Sequence, residues 1–229
     1  MPPDAHGGRV PAVVNVCFHG IGTPRRELEP GEERYWVEPD EFLRVLDLVA
    51  EDPRVRLSFD DGNASDVEIA LPALLERGLT ATFYVIAGRL DRRGSLDSAE
   101  LLHLADRGMQ VGVHGMDHRP WRGLSDAEAD RELVDARRLI EQTIGRPVST
   151  AALPLGRYDR RTLARLRALG YEDVGSSDRR WGRDGGWLQP RFSVCADDTV
   201  ETVRSSVLRP APLHRRLRST AVGVVKRVR

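Results

Sequence analysis

Short apolar, β-branched runs alternate along the chain with amphipathic stretches of helical periodicity. Runs of the first kind are typical of buried parallel strands, and the amphipathic stretches are typical of helices that cover a sheet. The alternation therefore predicts βα units in an α/β fold, either a barrel or a wound sheet. About seven strands are predicted, at residues 12–18, 55–59, 80–86, 110–113, 150–153, near 174 and at 189–194.

Capping residues and glycines mark the predicted helix boundaries. Pro39 suits the first turn of a helix, and Ser125 with Glu128 forms a capping box in which each residue satisfies a free backbone amide of the other. Glycines such as Gly78 and Gly145 end helices by taking a left-handed conformation. Helices are predicted from about residue 39, through 69–75, and at 99–107, 126–145 and 159–169.

The composition fits one folded domain. The chain has 229 residues, of which 40% are hydrophobic, and this is enough for a sizeable core. The 35 basic and 35 acidic residues balance, which argues against a dedicated nucleic-acid-binding protein. Cys17 and Cys195 cannot form a disulfide framework, so both are expected to be buried free thiols.

Charge changes along the chain set the expected domain limits. Residues 10–200 are expected to form the domain, and residues 201–229 form a tail in which arginines are spread among leucine and valine. Such a basic tail is either solvated or in peripheral contact with an anionic membrane surface. The sequence shows no apolar run long enough to cross a bilayer and no signal-peptide pattern, so a cytoplasmic location is expected.

Three polar clusters follow predicted strands, at residues 57–62, 113–118 and 152–158. Because the carboxyl ends of parallel strands form the face where ligands bind, the clusters are expected to meet. His114 and His118 with a carboxylate from another loop supply a ligand set that leaves one metal position open for water. Taken alone, the histidine pair also fits two surface residues, and the Asp-Asp-Gly sequence also fits a simple turn.

Together and in this order, the clusters resemble the polysaccharide deacetylases of carbohydrate esterase family 4, the NodB-homology domain. Ser58-Phe59-Asp60-Asp61-Gly62 is similar to the family motif Thr-Phe-Asp-Asp-Gly, and His114 to His118 is similar to its His-x-x-x-His motif. Leu153-Pro154-Leu155-Gly156-Arg157-Tyr158 resembles the Tyr-Pro-Tyr-Gly-Arg-Tyr variant of the third motif. The resemblance extends from about residue 13 to 194 and implies a distorted (β/α) barrel of about seven strands, similar to a TIM barrel.

The resemblance also implies roles for these residues. Asp61, His114 and His118 would hold a divalent metal, with Zn²⁺ the best fit to the ligands. Asp60 would be the general base, and the backbone amide of Leu155 would stabilise the oxyanion.

Two departures from the family pattern affect the remaining roles. The late Leu-x-x-His motif that often supplies the general acid is not evident, so His19 at the end of the first strand is the candidate acid, or else a solvent-facing strand-end histidine. Ala152 stands where many relatives carry an arginine that orients the base. Arg191 either replaces that arginine or is an ordinary strand-edge residue.

Trp121, three residues beyond His118, is the best candidate for stacking on a sugar ring, and Tyr158 of the third motif is a second substrate-binding candidate.

The implied reaction removes N-acetyl groups from amino sugars of a polysaccharide or glycan precursor and releases acetate. Two alternatives stay open: a hydrolase of another non-peptide C–N bond, of the imide or ureide type, and a catalytically silent carbohydrate-binding module. The sequence leaves the oligomeric state open.

Overall fold

The computed structural model describes residues 11–209, and seven of the ten strands in this part of the chain form a closed barrel. The ten strands are β1 Ala12–Phe18, β2 Gly20–Ile21, β3 Trp36–Val37, β4 Val55–Asp61, β5 Ala81–Val85, β6 Gln110–Val113, β7 Thr150–Ala152, β8 Asp173–Ser176, β9 Gly182–Arg183 and β10 Leu188–Ser193. Seven parallel strands run around the ring in the order β1, β4, β5, β6, β7, β8 and β10, and β10 pairs with β1 to close it. This confirms the predicted seven-stranded barrel.

The helices follow the barrel strands and lie outside the ring. They are α1 Pro39–Ala50, α2 Leu71–Glu76, α3 Ser98–Asp106, α4 Asp126–Asp130, α5 Ala136–Ile144, α6 Arg160–Ala168 and α7 Val200–Ser206. π-Helical turns at Asp66–Ala70 and Arg131–Asp135 extend α2 and join α4 to α5. The long polar connection after β1 contains β2, a 3₁₀ turn at Glu32–Tyr35 and β3, none of which the sequence pattern predicts.

The outward face of the barrel forms the hydrophobic core with the helices. Phe18, Phe59 and Phe83 are register partners on three neighbouring strands, and their rings stack with centroids 5.6 and 4.8 Å apart. Phe42 of α1 meets Phe18 edge to face at 5.1 Å. Each such pair contributes about 0.5–1.5 kcal/mol beyond the area that it buries. These outward aromatic positions fix which alternate residues of the strands point into the barrel.

The inward face of the barrel is polar. The Asn15 side chain donates a hydrogen bond to Gln189 at 3.2 Å, and the guanidinium of Arg191 lies 5.0 Å from the ring centroid of Tyr84. Gly175 leaves room for that guanidinium, since a Cβ at this position would lie 2.6 Å from Nε of Arg191. The interior of the barrel thus accommodates the buried side chain of Arg191, which extends from β10 towards the ends of the strands.

The predicted capping box is confirmed at the start of α4. The amide of Glu128 donates to Oγ of Ser125 at 3.3 Å, and the amide of Ser125 donates to Glu128 at 2.9 Å. The π-helical turn at Arg131–Asp135 then inserts Glu132 into the protein, where it accepts a hydrogen bond from the amide of Met116 at 2.9 Å. The same helix therefore supports the segment that follows β6.

α7 extends the domain past residue 200, the limit expected from the sequence. Val203 and Val207 are buried, and the amide of Val200 donates to Glu41 of α1 at 2.6 Å. The domain therefore includes part of the segment expected to be tail. Residues 210–229, on which the expectation of solvation or membrane contact now rests, lie outside the described residues. Among residues 11–209, no helix has the length and apolar character needed to span a bilayer.

Candidate active site

The three predicted clusters meet in a cavity of about 420 Å³ at the carboxyl ends of the strands. β4 ends in Asp60 and Asp61, β6 is followed by His114 and His118, and Leu155 lies in the turn after β7. A larger cavity of about 630 Å³ opens at the amino ends of the strands. Within residues 11–209, neither group of potential metal ligands lies in that larger cavity, so we assign the function to the smaller one.

Asp61, His114 and His118 form a ligand set for a cation. Oδ1 of Asp61 lies 3.6 Å from Nε2 of His114 and 3.5 Å from Nε2 of His118. This oxygen is buried and has no hydrogen-bond partner in the described part of the chain. A buried carboxylate oxygen is strongly unfavourable without a partner. Together with the two imidazoles, it therefore fits a divalent metal of the zinc type.

A hydrogen bond on the far side of each imidazole turns its Nε2 towards Asp61. Nδ1 of His114 donates to the carbonyl of Ala152 at 3.0 Å, and Nδ1 of His118 donates to a carboxylate oxygen of Glu29 at 2.7 Å. Because both partners only accept, the neutral form of each ring carries its proton on Nδ1 and its lone pair on Nε2. Burial lowers the pKa of His114 to about 4, which keeps that ring neutral, as metal ligation requires.

Three site residues have backbone angles that favour glycine. The angle φ is 81° at Asp61, 54° at His118 and 54° at Leu155. A non-glycine residue in this left-handed region carries strain of about 1–3 kcal/mol, which only a supporting structure can maintain. Strained backbone of this kind concentrates at functional sites, and here it occurs in all three clusters.

Asp60 differs from the neighbouring Asp61 because the guanidinium of Arg191 already binds both of its carboxylate oxygens. Arg191 donates to Oδ1 at 2.6 Å and to Oδ2 at 2.7 Å, and it also donates to Ser58 at 3.1 Å. Burial acts to raise the pKa of Asp60, but the charge and hydrogen bonds of Arg191, together with the nearby imidazoles of His114 and His19, outweigh burial and hold the pKa well below its ordinary value. Arg191 is therefore not a strand-edge residue, since it lies buried inside the barrel as the partner of Asp60.

A second group of potential ligands, formed by Cys17, His19 and Asp60, fits a metal poorly. Arg191 already binds both oxygens of Asp60, and its own positive charge repels a cation. Burial raises the pKa of the Cys17 thiol far above its ordinary value, and only the thiolate is a good ligand. Cys17 and Cys195 are both buried free thiols, as expected.

His19 lines the same cavity from the end of β1. Its Nε2 lies 4.0 Å from Oδ2 of Asp60, and its ring stacks on Tyr35 with centroids 4.7 Å apart and an angle of 21° between the planes. Stacking fixes the ring, and the distance to Asp60 leaves Nε2 free to reach a molecule bound between them. Leu155 also lines the cavity, with 55% of its surface exposed.

The two expected substrate-binding residues are placed elsewhere. Trp121 is 1% exposed, and its indole nitrogen donates to Glu132 at 3.4 Å. Tyr158 is 2% exposed and donates to Asp178 at 2.8 Å. Neither residue lines the cavity, and a ring enclosed on both faces cannot stack on a sugar. Both expectations are therefore corrected, because each ring is packed in the hydrophobic core while its polar atom has a partner inside the protein.

Residues of the connection after β1 complete the cavity. Glu29, Arg34 and Tyr35 line it, although sequence reasoning gave none of them a role. Glu29 contacts His118 across 89 positions of sequence, so no local pattern identifies the pair. In the sequence, the only indication that these residues have a role is that the segment directly after His19 is rich in charged residues.

The chain is similar to known proteins in both sequence and fold. The family model described as "Polysaccharide deacetylase" matches residues 48–174, which is more than half of the chain. YxkH of Bacillus subtilis, whose name places it among polysaccharide deacetylases, is 26% identical over 118 residues, covering 52% of this chain and 42% of its own. This chain therefore spans less than half of that relative's length.

Two further proteins match over more of the chain. A peptidoglycan-N-acetylglucosamine deacetylase of Bacillus cereus is 23% identical over 182 residues, or 79% of this chain and 78% of that one. The structure of the deacetylase PplD of Streptococcus pyogenes, in complex with acetate, superposes with a TM-score of 0.74 at 19% identity. The superposition covers 87% of this chain and 99% of PplD, and it shows that the fold is shared.

Proposed function

The chain belongs to the polysaccharide deacetylase family, and from this premise we propose that it is a metal-dependent hydrolase that removes N-acetyl groups from amino sugars of a glycan. One observation carries the proposal. Two adjacent carboxylates have opposite environments, because Asp60 is held at both oxygens by Arg191 while Asp61 presents an unpartnered oxygen to two imidazoles. This division suits one carboxylate for proton transfer and the other for metal binding.

Asp61, His114 and His118 are the residues that would hold the metal, with Zn²⁺ preferred by the ligand chemistry. When bound there, a divalent cation supplies Lewis acidity to an acetamide carbonyl and makes nearby water more acidic.

The other site residues handle the proton and the developing charge. Asp60 removes a proton from the attacking water, while Arg191 keeps this carboxylate ionised and oriented. The amide of Leu155 donates a hydrogen bond to the carbonyl oxygen as it gains charge. His19 gives a proton to the departing nitrogen, since an amine leaves readily only when protonated. The C–N bond breaks, and the products are acetate and a free amine.

The glycan substrate is supported by the relatives, one of which is named for the N-acetylglucosamine of peptidoglycan. The acid role of His19 is supported by its distance of 4.0 Å from Asp60 across the cavity. This proximity favours an enzyme over a catalytically silent carbohydrate-binding module.

Acetate release from N-acetylated oligosaccharides tests the proposal, with Zn²⁺ or Co²⁺ added and with a chelator as the metal-free condition. The natural protein is compared with Asp60→Asn and with Asp184→Asn, a control at an exposed carboxylate whose side chain is 48% accessible. We expect metal-dependent release that Asp60→Asn reduces by at least about 100-fold and Asp184→Asn leaves unchanged. Equal release by the natural protein and Asp60→Asn would contradict the assignment of the base. Turnover of cyclic imides or ureides with no release from any oligosaccharide would favour the alternative substrate class.

A further inference from the structure

We propose that Glu29 is a positioning residue of the metal centre, acting through His118. This inference rests on the proposed function, because it concerns the residues that would hold the metal. An oxygen of Glu29 accepts a hydrogen bond from Nδ1 of His118 at 2.7 Å, and Nε2 of the same ring faces Asp61 at 3.5 Å. Glu29 therefore acts on the side of the imidazole opposite the metal site.

The chemistry of the contact defines what Glu29 does. A carboxylate only accepts, so it fixes the His118 proton on Nδ1 and leaves the lone pair of Nε2 directed at the ligand position. Its negative charge also makes the imidazole a stronger electron donor to a metal. His114 lacks this charge, because its Nδ1 donates to the neutral carbonyl of Ala152. The two imidazoles are thus unequal ligands, because only His118 is paired with a negative charge on the side opposite the metal site.

Contacts on both its side chain and its backbone hold Glu29 in place. Arg89 forms an ion pair with its other carboxylate oxygen. The amide of Glu29 donates to Glu32 at 2.8 Å, and Glu32 is paired in turn with Arg26. Nε of Arg26 donates to the side chain of Asn63 at 3.2 Å, two residues from Asp61. This network connects the segment that carries Glu29 to the loop that carries the carboxylate ligand.

Glu29 lies in a part of the chain that the family model does not match, since that model covers residues 48–174. Its carboxylate is 42% exposed, so burial does not require the pairing with His118. The contact between Glu29 and His118 also brings the polar connection after β1 into the site. Tyr35, in the same connection, stacks on His19.

Metal affinity, measured apart from activity, tests the proposal. Zn²⁺ dissociation constants are determined by competition with a chelating dye for the natural protein, Glu29→Ala and Glu29→Gln. Glu33→Gln is the matched control, because Glu33 is exposed on the same segment. We expect Glu29→Ala to weaken Zn²⁺ binding about 10- to 100-fold. Glu29→Gln should lie between it and the natural protein, since its amide oxygen still accepts a hydrogen bond without the charge. Glu33→Gln should match the natural protein.

Two further readouts separate positioning from a general effect on folding. The thermal unfolding of each metal-free variant reports its stability, and ¹⁵N shifts of the His118 ring report which nitrogen carries the proton. We expect a protonated Nδ1 in the natural protein and a mixture of tautomers in Glu29→Ala. Unchanged Zn²⁺ affinity in Glu29→Ala, with the natural protein binding metal normally, would overturn this inference alone. Failure of the natural protein to bind Zn²⁺ would overturn the metal dependence of the proposed function and this inference with it. If Glu29→Ala does not fold, the test rests on Glu29→Gln. A Zn²⁺ affinity of this variant equal to that of the natural protein would show that the charge of Glu29 plays no role in metal binding.

Discussion

Replacing Arg191 by methionine should destabilise the protein far more than the loss of an ordinary arginine. Arg191 is 3% exposed, and its guanidinium forms two hydrogen bonds, of 2.6 and 2.7 Å, to Asp60, which is equally buried. The Arg191→Met variant keeps most of the side-chain volume but leaves the carboxylate of Asp60 in the barrel without its cation. Breaking a buried ion pair in this way costs about 3–5 kcal/mol. For a chain of this size the loss corresponds to a decrease in Tm of at least about 6 °C.

The assay is urea unfolding of the metal-free protein, with a surface arginine as control. Arg56 pairs with Asp184, and their side chains are 47% and 48% accessible, so Arg56→Met should change the free energy of unfolding by no more than about 1 kcal/mol. The double variant Arg191→Met with Asp60→Leu removes both charges and should be more stable than the sum of the two single effects predicts, by about 2 kcal/mol or more. A loss below about 1 kcal/mol for Arg191→Met, or strict additivity in the double variant, would refute the reasoning.

Three other predictions concern single positions. Burial raises the pKa of Asp173 to about 6 from 3.8, so its charged form disfavours folding. Asp173→Asn should therefore stabilise the protein above pH 6, by up to about 3 kcal/mol, and have little effect below pH 4, as measured by unfolding across that range; an effect that does not vary with pH would contradict this. Gly175→Ala should displace the Arg191 guanidinium and reduce both stability and acetate release, whereas a crystal structure with an unmoved Arg191 would count against the close approach. His19→Gln should reduce kcat about 100-fold or more with unchanged Zn²⁺ affinity, and a natural kcat would exclude His19 as the acid.

Most of the barrel strands were predictable because they are short apolar runs bounded by turn residues. The strands at 12–18 and 110–113 have the predicted bounds, and the capping box at Ser125 correctly marks the start of α4. The convergence of the three clusters was also predictable, since the carboxyl ends of parallel strands share one face of a barrel. These features depend on local pattern or on topology, both of which a single sequence carries.

Side-chain direction in loops was not predictable in the same way. Trp121 lies in a polar connection, and nothing local indicates that its indole packs inward towards Glu132 on a π-helical turn. The contact between Glu29 and His118 likewise depends on how a long connection folds back over the barrel. Arg191 did carry a usable signal. It alternates with Gln189 along β10, and this period of two places both residues on the inward face.

The most direct test of the account is an anomalous diffraction map, at the zinc absorption edge, of crystals soaked in Zn²⁺. We predict one strong peak about 2.0–2.2 Å from Oδ1 of Asp61 and from Nε2 of both His114 and His118, with Asp60 still paired to Arg191. A map without a peak between these three side chains, or with the metal bound beside Cys17 instead, would contradict it.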